Sequence, residues 1–428
     1  MKKIILSSVI SGFFTVCIYA QSGTNSPYSQ YGLGVLSDQS QGFNRGMNGL
    51  ALGLRYNDQV NFLNPASYSA VDSLTMIFDV GLSGQITNFK ENGVRLNAKN
   101  ADFEYAVAAF RLFPKIGVSV GIVPFTNIGY DYYSTSQVGT SETTSTETHT
   151  GSGGLHQAYL GVGWNVFGGL SVGANFSYLW GDYDKMISVT SSDNYVNTVT
   201  KSYSATVNSY KLDFGVQWQA KVATEDWLTL GATFGLGHNL GADPEAKTVN
   251  SNKQTGVSSD TSFVVRDGLS IPTTYGVGVS WRHANKLTVG VDYSLQKWGG
   301  LDFPETDSRV GNYVLKTGLF KDRHKVTIGG EWVPNEQSLN FFNRIHYRLG
   351  ASYATPYIKV NGADGPKEYS VSAGFGIPII NGWNNRSVLN ISGQWVHSSA
   401  MNLITENMFR INIGLTFNER WFMKWKVN

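Results

Sequence analysis

The sequence predicts an all-β protein: a transmembrane antiparallel β-barrel of about fourteen strands with an N-terminal plug, or hatch, in its lumen. Apolar and polar residues alternate in segment after segment from Leu74 onwards, which is typical of strands with one apolar and one polar face. Charged residues make up 15% of the chain, whereas about 25% is usual in soluble domains. A closed sheet with an apolar outer face suits a barrel surrounded by lipid.

The first twenty residues predict a secretory signal peptide, residues 1–20. Lys2 and Lys3 form a positive start, residues 4–18 are mostly apolar, and Ala20 is a small residue at an acceptable cleavage site. The single cysteine, Cys17, lies inside this peptide, so we expect the mature chain to have no disulfide and no thiolate metal site.

Charge and histidine spacing exclude several kinds of partner. Cleavage removes two of the 33 basic residues and leaves 31 against 31 acidic ones, which argues against nucleic acid as a partner. The seven histidines show no metal-ligand spacing, and no phosphate-binding glycine motif is present. We therefore predict no metal and no cofactor.

Fourteen alternating segments follow residue 73, and we predict that the barrel spans residues 74–418. In the first segment, residues 74–87, Phe78, Val80 and Leu82 share one face, and Asp79 and Ser83 share the other. The other segments lie at 103–109, 116–122, 158–164, 170–180, 210–218, 228–236, 275–281, 287–295, around 326–328, 347–353, 371–377, 389–395 and 409–417. Residues 419–428 are either a tail or a last strand, so twelve or sixteen strands stay open.

The connections between segments predict the orientation. Short links near residues 113–114, 168–169, 223–226 and 282–286 alternate with long polar connections, of which residues 134–154 are predicted to be a mobile loop. Outer-membrane barrels have short periplasmic turns and long external loops. This pattern predicts a bacterial outer-membrane location with both termini in the periplasm.

Residues 21–73 do not alternate, and they are rich in Gly, Asn, Ser and Gln. A barrel of about fourteen strands is too wide for its own side chains to fill, because diameter grows with strand number. We therefore predict that residues 21–73 fold into the lumen as a hatch.

The order of signal peptide, Gly-rich stretch, Asn64-Pro65-Ala66 and fourteen strands resembles the long-chain fatty-acid transporter (FadL-like) family of outer-membrane proteins. The resemblance implies that Asn64, Pro65 and Ala66 hold the hatch, and that a kink in the third strand opens a lateral path through the wall. The sequence around residues 64–73 and 414–424 is more similar to the Bacteroidota branch of such barrels.

Pro124 is the candidate for that kink. Proline lacks the N–H that a strand ladder needs, so a central barrel strand excludes it unless the strand breaks there. We predict a lateral gap at Pro124, Phe125 and Asn127. The plainer alternatives are a turn at Asn64-Pro65 and an ordinary bulge at Pro124.

Aromatic residues and one short motif have competing interpretations. Interface girdle positions are expected for Tyr130, Tyr132, Tyr133, Trp180, Trp332 and Trp395. His397, Ser399 and Asn402 imitate the spacing of outer-membrane phospholipase A, but short motifs of this kind arise easily by chance. We predict no catalytic residues and no enzyme.

The function expected from these observations is passive uptake of hydrophobic or amphipathic small molecules, including fatty acids, through the hatch-plugged barrel. Outer-membrane lipid is the surrounding partner. The alternative is a barrel that does not transport and serves as a scaffold or as a secretion or assembly partner of other envelope proteins. A general porin is a third hypothesis, and an occluding N-terminal segment would contradict it.

Overall fold

The computed structural model describes residues 23–139, 142–306, 312–379 and 387–420. Within these ranges fourteen antiparallel strands form one barrel, which confirms the predicted fold class. The strands are β1 (Thr75–Glu91), β2 (Val94–Phe113), β3 (Ile116–Gln137), β4 (Thr144–Phe167), β5 (Leu170–Ser191), β6 (Thr198–Lys221), β7 (Asp226–Gly235), β8 (Thr274–His283), β9 (Leu287–Gln296), β10 (Arg323–Trp332), β11 (His346–Ala354), β12 (Lys367–Ile379), β13 (Ser387–Ser399) and β14 (Thr405–Arg420).

The barrel closes between its first and last strands. Thr75 of β1 pairs with Arg420 of β14, and the ladder continues to Lys90 and Thr405. The chain around Arg420 therefore completes β14 rather than adding another strand. The predicted signal peptide, residues 1–20, and residues 421–428 lie outside the described residues.

Side-chain exposure follows the predicted alternation. On β1, Phe78 and Leu82 are exposed on the outside, whereas Asp79 and Ser83 are buried inside the barrel. The outer face is apolar and the inner face polar, as lipid on one side and a polar lumen on the other require. No helix among the described residues is long and apolar enough to cross a membrane.

The two ends of the barrel differ. At the turn end, where β1 starts and β14 ends, several links are short, such as residues 114–115 between β2 and β3. The opposite, loop end carries longer connections and the extended ends of β3 to β6. Residues 134–154 are not a mobile loop: Ser134 pairs with Glu147 and Tyr130 with Gly151, so most of this segment continues β3 and β4. Its Ser- and Thr-rich composition suits solvent-exposed strands above the lipid.

Smaller elements complete the fold. A hairpin of Glu245–Ser251 and Ser258–Val264 extends the sheet beside β6. Short strand pairs join His238–Asn239 to Ser270–Ile271, Phe303–Thr306 to Tyr313–Lys316 and Lys359–Val360 to Ala363–Asp364. The described helices are short: the 3-10 helices Pro27–Gln30 and Pro65–Ala70 and the α-helices Gly42–Arg45 and Phe341–Arg344.

Residues 23–73, here called the N-terminal segment, lie within the barrel. Buried side chains of this segment contact inward-facing residues on strands from all around the wall, including β2, β5, β9 and β14. At the loop end an apolar cluster covers the segment, with Trp298, Phe320 and Tyr357 packed against Leu33 and Tyr28. The lumen is therefore occupied at its waist and covered at one end.

Candidate functional site: the N-terminal segment and the fork in the wall

Asn64, Pro65 and Ala66 begin a short 3-10 helix, Pro65–Ala70, that lies against the wall. Asn64 caps this helix, since its Oδ1 accepts the N–H of Ala66 at 3.2 Å. Its Nδ2 donates to the carbonyl of Leu52 at 2.8 Å, which ties two stretches of the segment together. Asn64-Pro65 is thus a turn, and this turn is also in contact with the wall.

A row of glycines on four neighbouring strands makes this contact possible. Gly117, Gly163, Gly173 and Gly215 are direct cross-strand partners on β3 to β6. A Cβ at Gly173 would lie 2.4 Å from the carbonyl carbon of Pro65, and one at Gly215 would lie 2.2 Å from Asn64 Oδ1. The glycine row therefore lets the backbone of the N-terminal segment lie directly on the backbone of the wall.

Polar side chains of the wall also hold the segment. Asp292 on β9 accepts the N–H groups of Ala51 and Leu52 at 2.6 and 2.8 Å. Gln217 on β6 donates to the carbonyls of Leu52 and Leu54 at 3.0 and 2.9 Å. These bonds satisfy backbone groups that are buried in the lumen.

A buried ion pair fixes the middle of the segment. Arg45 Nη2 lies 2.9 Å from Glu104 Oε2 on β2, and both side chains are almost completely buried. Burial would raise the pKa of Asp38, but Arg45 and Lys325 outweigh it and hold that pKa well below its usual range. Burial opposes the charge of Arg45 too, yet Glu104 and Asp38 raise its pKa further, so the guanidinium stays charged.

The wall divides between β2 and β3, and we call this division the fork. Among the pairs described, the two strands are joined only from Ala106 with Ile122 down to Phe113 with Ile116. From Ile122 towards the loop end, β3 remains paired with β4. From Ala106 towards the loop end, β2 remains paired with β1.

Pro124, Phe125 and Asn127 lie on β3 immediately beyond the fork. The β3–β4 register shifts between Pro124 and Thr126, so Phe125 is the extra residue of a bulge. The N-terminal segment crosses here: Val35 pairs with Asn127, and the N–H of Ser37 donates to the carbonyl of Phe125 at 3.1 Å. The break in the ladder is thus bridged by the segment. That these three residues form a lateral path stays a prediction.

The bulge also reverses which side chains of β3 face inwards. Before it, Val120 and Ile122 are exposed on the lipid side, whereas beyond it Ile128 and Tyr130 are buried inside the barrel. An extra residue exchanges the two faces of a strand, because side chains alternate with a period of two. The preference of amphipathic rings for the membrane interface predicts Tyr130 at that interface, and its burial inside the barrel shows that this prediction is wrong.

The other aromatic positions divide in the same way. Tyr132 packs inwards and donates a hydrogen bond to Gln30 at 3.0 Å. Tyr133, Trp332 and Trp395 are exposed on the outside, as a girdle requires. Trp180 stacks on the exposed Tyr178.

Two cavities lie in the lumen beside the fork. Their volumes are about 240 and 220 Å³, and both are lined by Leu36, Asp38 and Phe125. Arg323 and Lys325 also line both cavities, so apolar and charged groups share the same space. The arrangement suits a small molecule with both apolar and polar parts better than a long hydrocarbon chain.

The residues that imitate a phospholipase do not assemble. His397 Nδ1 lies 2.8 Å from Asn407 Oδ1, within the β13–β14 ladder, and no bond to Ser399 or Asn402 is seen. In the part of the chain that the structure describes, no group of three metal-binding side chains occurs.

Several residues of this site are not predicted from the sequence. Arg45, Glu104 and Asp292 lie far apart in the chain, and only folding brings them to the segment. One signal in the sequence could have indicated the contact between segment and wall. It is glycine at inward positions of strands, such as Gly163 and Gly173, where a polar side chain is otherwise expected.

Several solved structures have a similar fold. The Ralstonia pickettii toluene transporter TbuX is 14% identical with a TM-score of 0.60, covering 88% of this chain and 97% of that one. The P. putida toluene transporter TodX is 13% identical, with a TM-score of 0.61 and coverage of 92% and 99%. A Pseudomonas aeruginosa FadL homologue is 12% identical, with a TM-score of 0.61 and coverage of 88% and 98%. At these identities the likeness establishes the barrel fold, which is that of outer-membrane proteins.

Two further comparisons concern the sequence. The protein-family model described as BamG matches residues 1–428. No curated protein matches the chain. None of the structures of similar fold named above is described as an enzyme.

Proposed function

The chain belongs to the BamG family, and on that premise and the geometry of the lumen we propose that it admits small hydrophobic or amphipathic molecules through the outer membrane. The solute would enter the cavities beside the fork, and it would leave laterally into the bilayer between β2 and β3. Asn64, Pro65 and Ala66 would hold the hatch, and Pro124, Phe125 and Asn127 would line the exit.

The observation that carries this proposal is the cavity at the break in the ladder. Its volume of about 240 Å³ exceeds the roughly 150 Å³ that admits benzene in an engineered protein cavity. Phe125 and Leu36 supply apolar contacts, and the charged groups opposite them would accept a polar end. The toluene transporters of like fold support a solute of monoaromatic size.

Passage requires that the N-terminal segment leave the edge of β3. Leu36 pairs with Thr126 across this contact, and paired strand residues are close enough for a disulfide. Cysteines at both positions would lock the fork under oxidising conditions. The only natural cysteine, Cys17, lies in the predicted signal peptide.

The test is uptake of radiolabelled toluene by cells that lack other hydrocarbon channels and express the full chain. We expect the oxidised Leu36→Cys/Thr126→Cys variant to fall to background uptake, and reductant to restore it. The single variant Leu36→Cys is the matched control, and its uptake should be the same under oxidising and reducing conditions. Background uptake by the unmodified chain itself would refute transport.

A second candidate is a scaffold or assembly partner of other envelope proteins, with both termini in the periplasm. The buried Arg45–Glu104 pair and the apolar cluster over the loop end favour it, because both oppose movement of the segment. Removal of one partner of such a pair costs about 3–5 kcal/mol. In this case the locked and reduced variants would show the same background uptake, while stable complexes with envelope proteins would survive purification.

A further inference from the structure

A second large cavity, the turn-end basin, opens at the turn end of the barrel. It has a volume of about 830 Å³, and it is lined by the N-terminal segment, by ends of wall strands and by the link between β10 and β11. That link, residues 333–345, is longer than the other links described at the turn end. The Arg45–Glu104 pair lies between the basin and the cavities beside the fork. The proposed transport does not use the basin.

Arginine is the prominent charged residue of this basin. Arg55, Arg282 and Arg344 line it, and the buried Nε atoms of Arg282 and Arg344 have no hydrogen-bond partner. Buried N–H groups are nearly always paired in folded proteins, so these two groups point to an acceptor that the described residues do not supply. Carboxylates accept guanidinium hydrogen bonds in the two-pronged arrangement that makes them strong.

The negative charge of the acidic residues that line the basin does not neutralise the positive charge of its arginines. Glu331 is already bound by Arg348 at 2.6 Å, and it also accepts a hydrogen bond from Tyr56 at 3.1 Å. Asp58 and the exposed Glu336 also line the basin. Burial and then the charges of Arg111 and Arg282 lower the pKa of Arg55 to about 10, which agrees with an excess of positive charge here.

The position of the basin decides between a lipid and a soluble partner. Thr288 and Glu331, which line it, are buried inward-facing residues of the wall, so the basin opens along the barrel axis and not towards the bilayer. Phe342 lies on the outside of the barrel, where Tyr347 donates a hydrogen bond to the carbonyl of Phe342 at 3.0 Å. Contact with the membrane explains why the side chain of Phe342 is exposed. Leu339 lines the basin and is fully exposed.

We propose that the turn-end basin binds an acidic segment of a partner protein, with carboxylates on Arg282 and Arg344 and an apolar side chain against Leu339. The volume is within the range of pockets that enclose whole drug-sized ligands, far more than an inorganic anion fills. The partner meets the chain on the side of the membrane that the turn end faces.

The test is fluorescence anisotropy with the full chain in detergent and a labelled decapeptide of Asp and Ser around a central Leu. We expect saturable binding that weakens as salt is raised, because salt screens exposed charges. A twin peptide with Asn in place of Asp should bind at least about tenfold more weakly, because hydrogen bonds to charged groups are stronger than those between neutral groups.

Matched variants locate the binding. The double variant Arg282→Gln/Arg344→Gln should bind the acidic peptide about tenfold or more weakly than the unmodified chain. Arg95→Gln/Arg266→Gln removes two exposed arginines elsewhere and should leave affinity unchanged. Retention of the folded barrel's gel mobility would show that each variant is intact.

Three outcomes would overturn the proposal. One is equal affinity of the double variant and the unmodified chain for the acidic peptide, and another is the absence of saturable binding. The third is full displacement of the peptide by millimolar phosphate or by vesicles of anionic lipid, which would assign the basin to a small anion or to a lipid headgroup.

Discussion

At Gly173 the wall has no room for a side chain. An added Cβ would approach the carbonyl carbon of Pro65 to 2.4 Å, and the neighbouring partners Gly163 and Gly215 are just as close to the segment. Hydrogen bonds from Asn64 and Gln217 can form only at this short separation. The contact between the N-terminal segment and the wall thus depends on the absence of side chains at these three glycines.

Gly173→Val should therefore release the Pro65–Ala70 helix from the wall. Overpacking costs about 1–3 kcal/mol, so amide hydrogen exchange in this helix should become roughly tenfold faster or more. Gly393→Val on β13 is the matched control, since a Cβ there meets no atom within 4 Å. Similar exchange in both variants would contradict a role for the glycine row.

Strand β3 combines two roles because of one bulge. Below Pro124 it is an ordinary wall strand bonded to β2, and beyond Phe125 it carries Ile128 and Tyr130 into the apolar cluster at the loop end. The same bulge presents backbone groups of Phe125 and Asn127 to the N-terminal segment. Register, more than side-chain chemistry, sets the function of this element.

Deletion of Phe125 should remove the bulge and leave residue 133 on the outside, because the pairs of Pro124 with His156 and of Thr126 with Leu155 then follow each other in a regular ladder. Cysteine introduced at Tyr133, which is 72% exposed, reports this directly through its rate of labelling by a water-soluble maleimide. We expect similarly rapid labelling in the deletion variant and in Phe125→Ala, which keeps the bulge. Labelling at least about tenfold slower in the deletion variant would show that Phe125 is not the extra residue of the strand.

At the scale of the whole molecule, the barrel is wide and the N-terminal segment fills its waist. A fourteen-strand barrel cannot be filled by its own inward side chains. The segment contacts strands on every side through Arg45, Asn64 and Tyr68. This occluded lumen argues against a general porin.

Removal of residues 24–73 should convert the barrel into an open pore. In planar bilayers we expect a steady conductance at least about tenfold above that of the full chain, which should stay near the baseline. The full chain, inserted at the same amount, is the control. A deletion variant that stays closed would mean that the loop-end cluster alone seals the barrel.

Much of the architecture follows from the sequence alone. Strand number, the outward face of β1 and the shared inward face of Asp79 and Ser83 are predicted by alternation, because lipid and lumen impose opposite polarity on successive residues. The assignment to the Bacteroidota branch stays a prediction.

Only the tertiary structure decided how the barrel is occupied. The amphipathic character of a tyrosine ring carries no information on a single extra residue in its strand, so it misplaced Tyr130 beyond the bulge at Phe125. The Arg45–Glu104 pair, the glycine row and the arginines of the turn-end basin join residues far apart in the chain. Such contacts depend on the closure and register of fourteen strands, which no local pattern encodes.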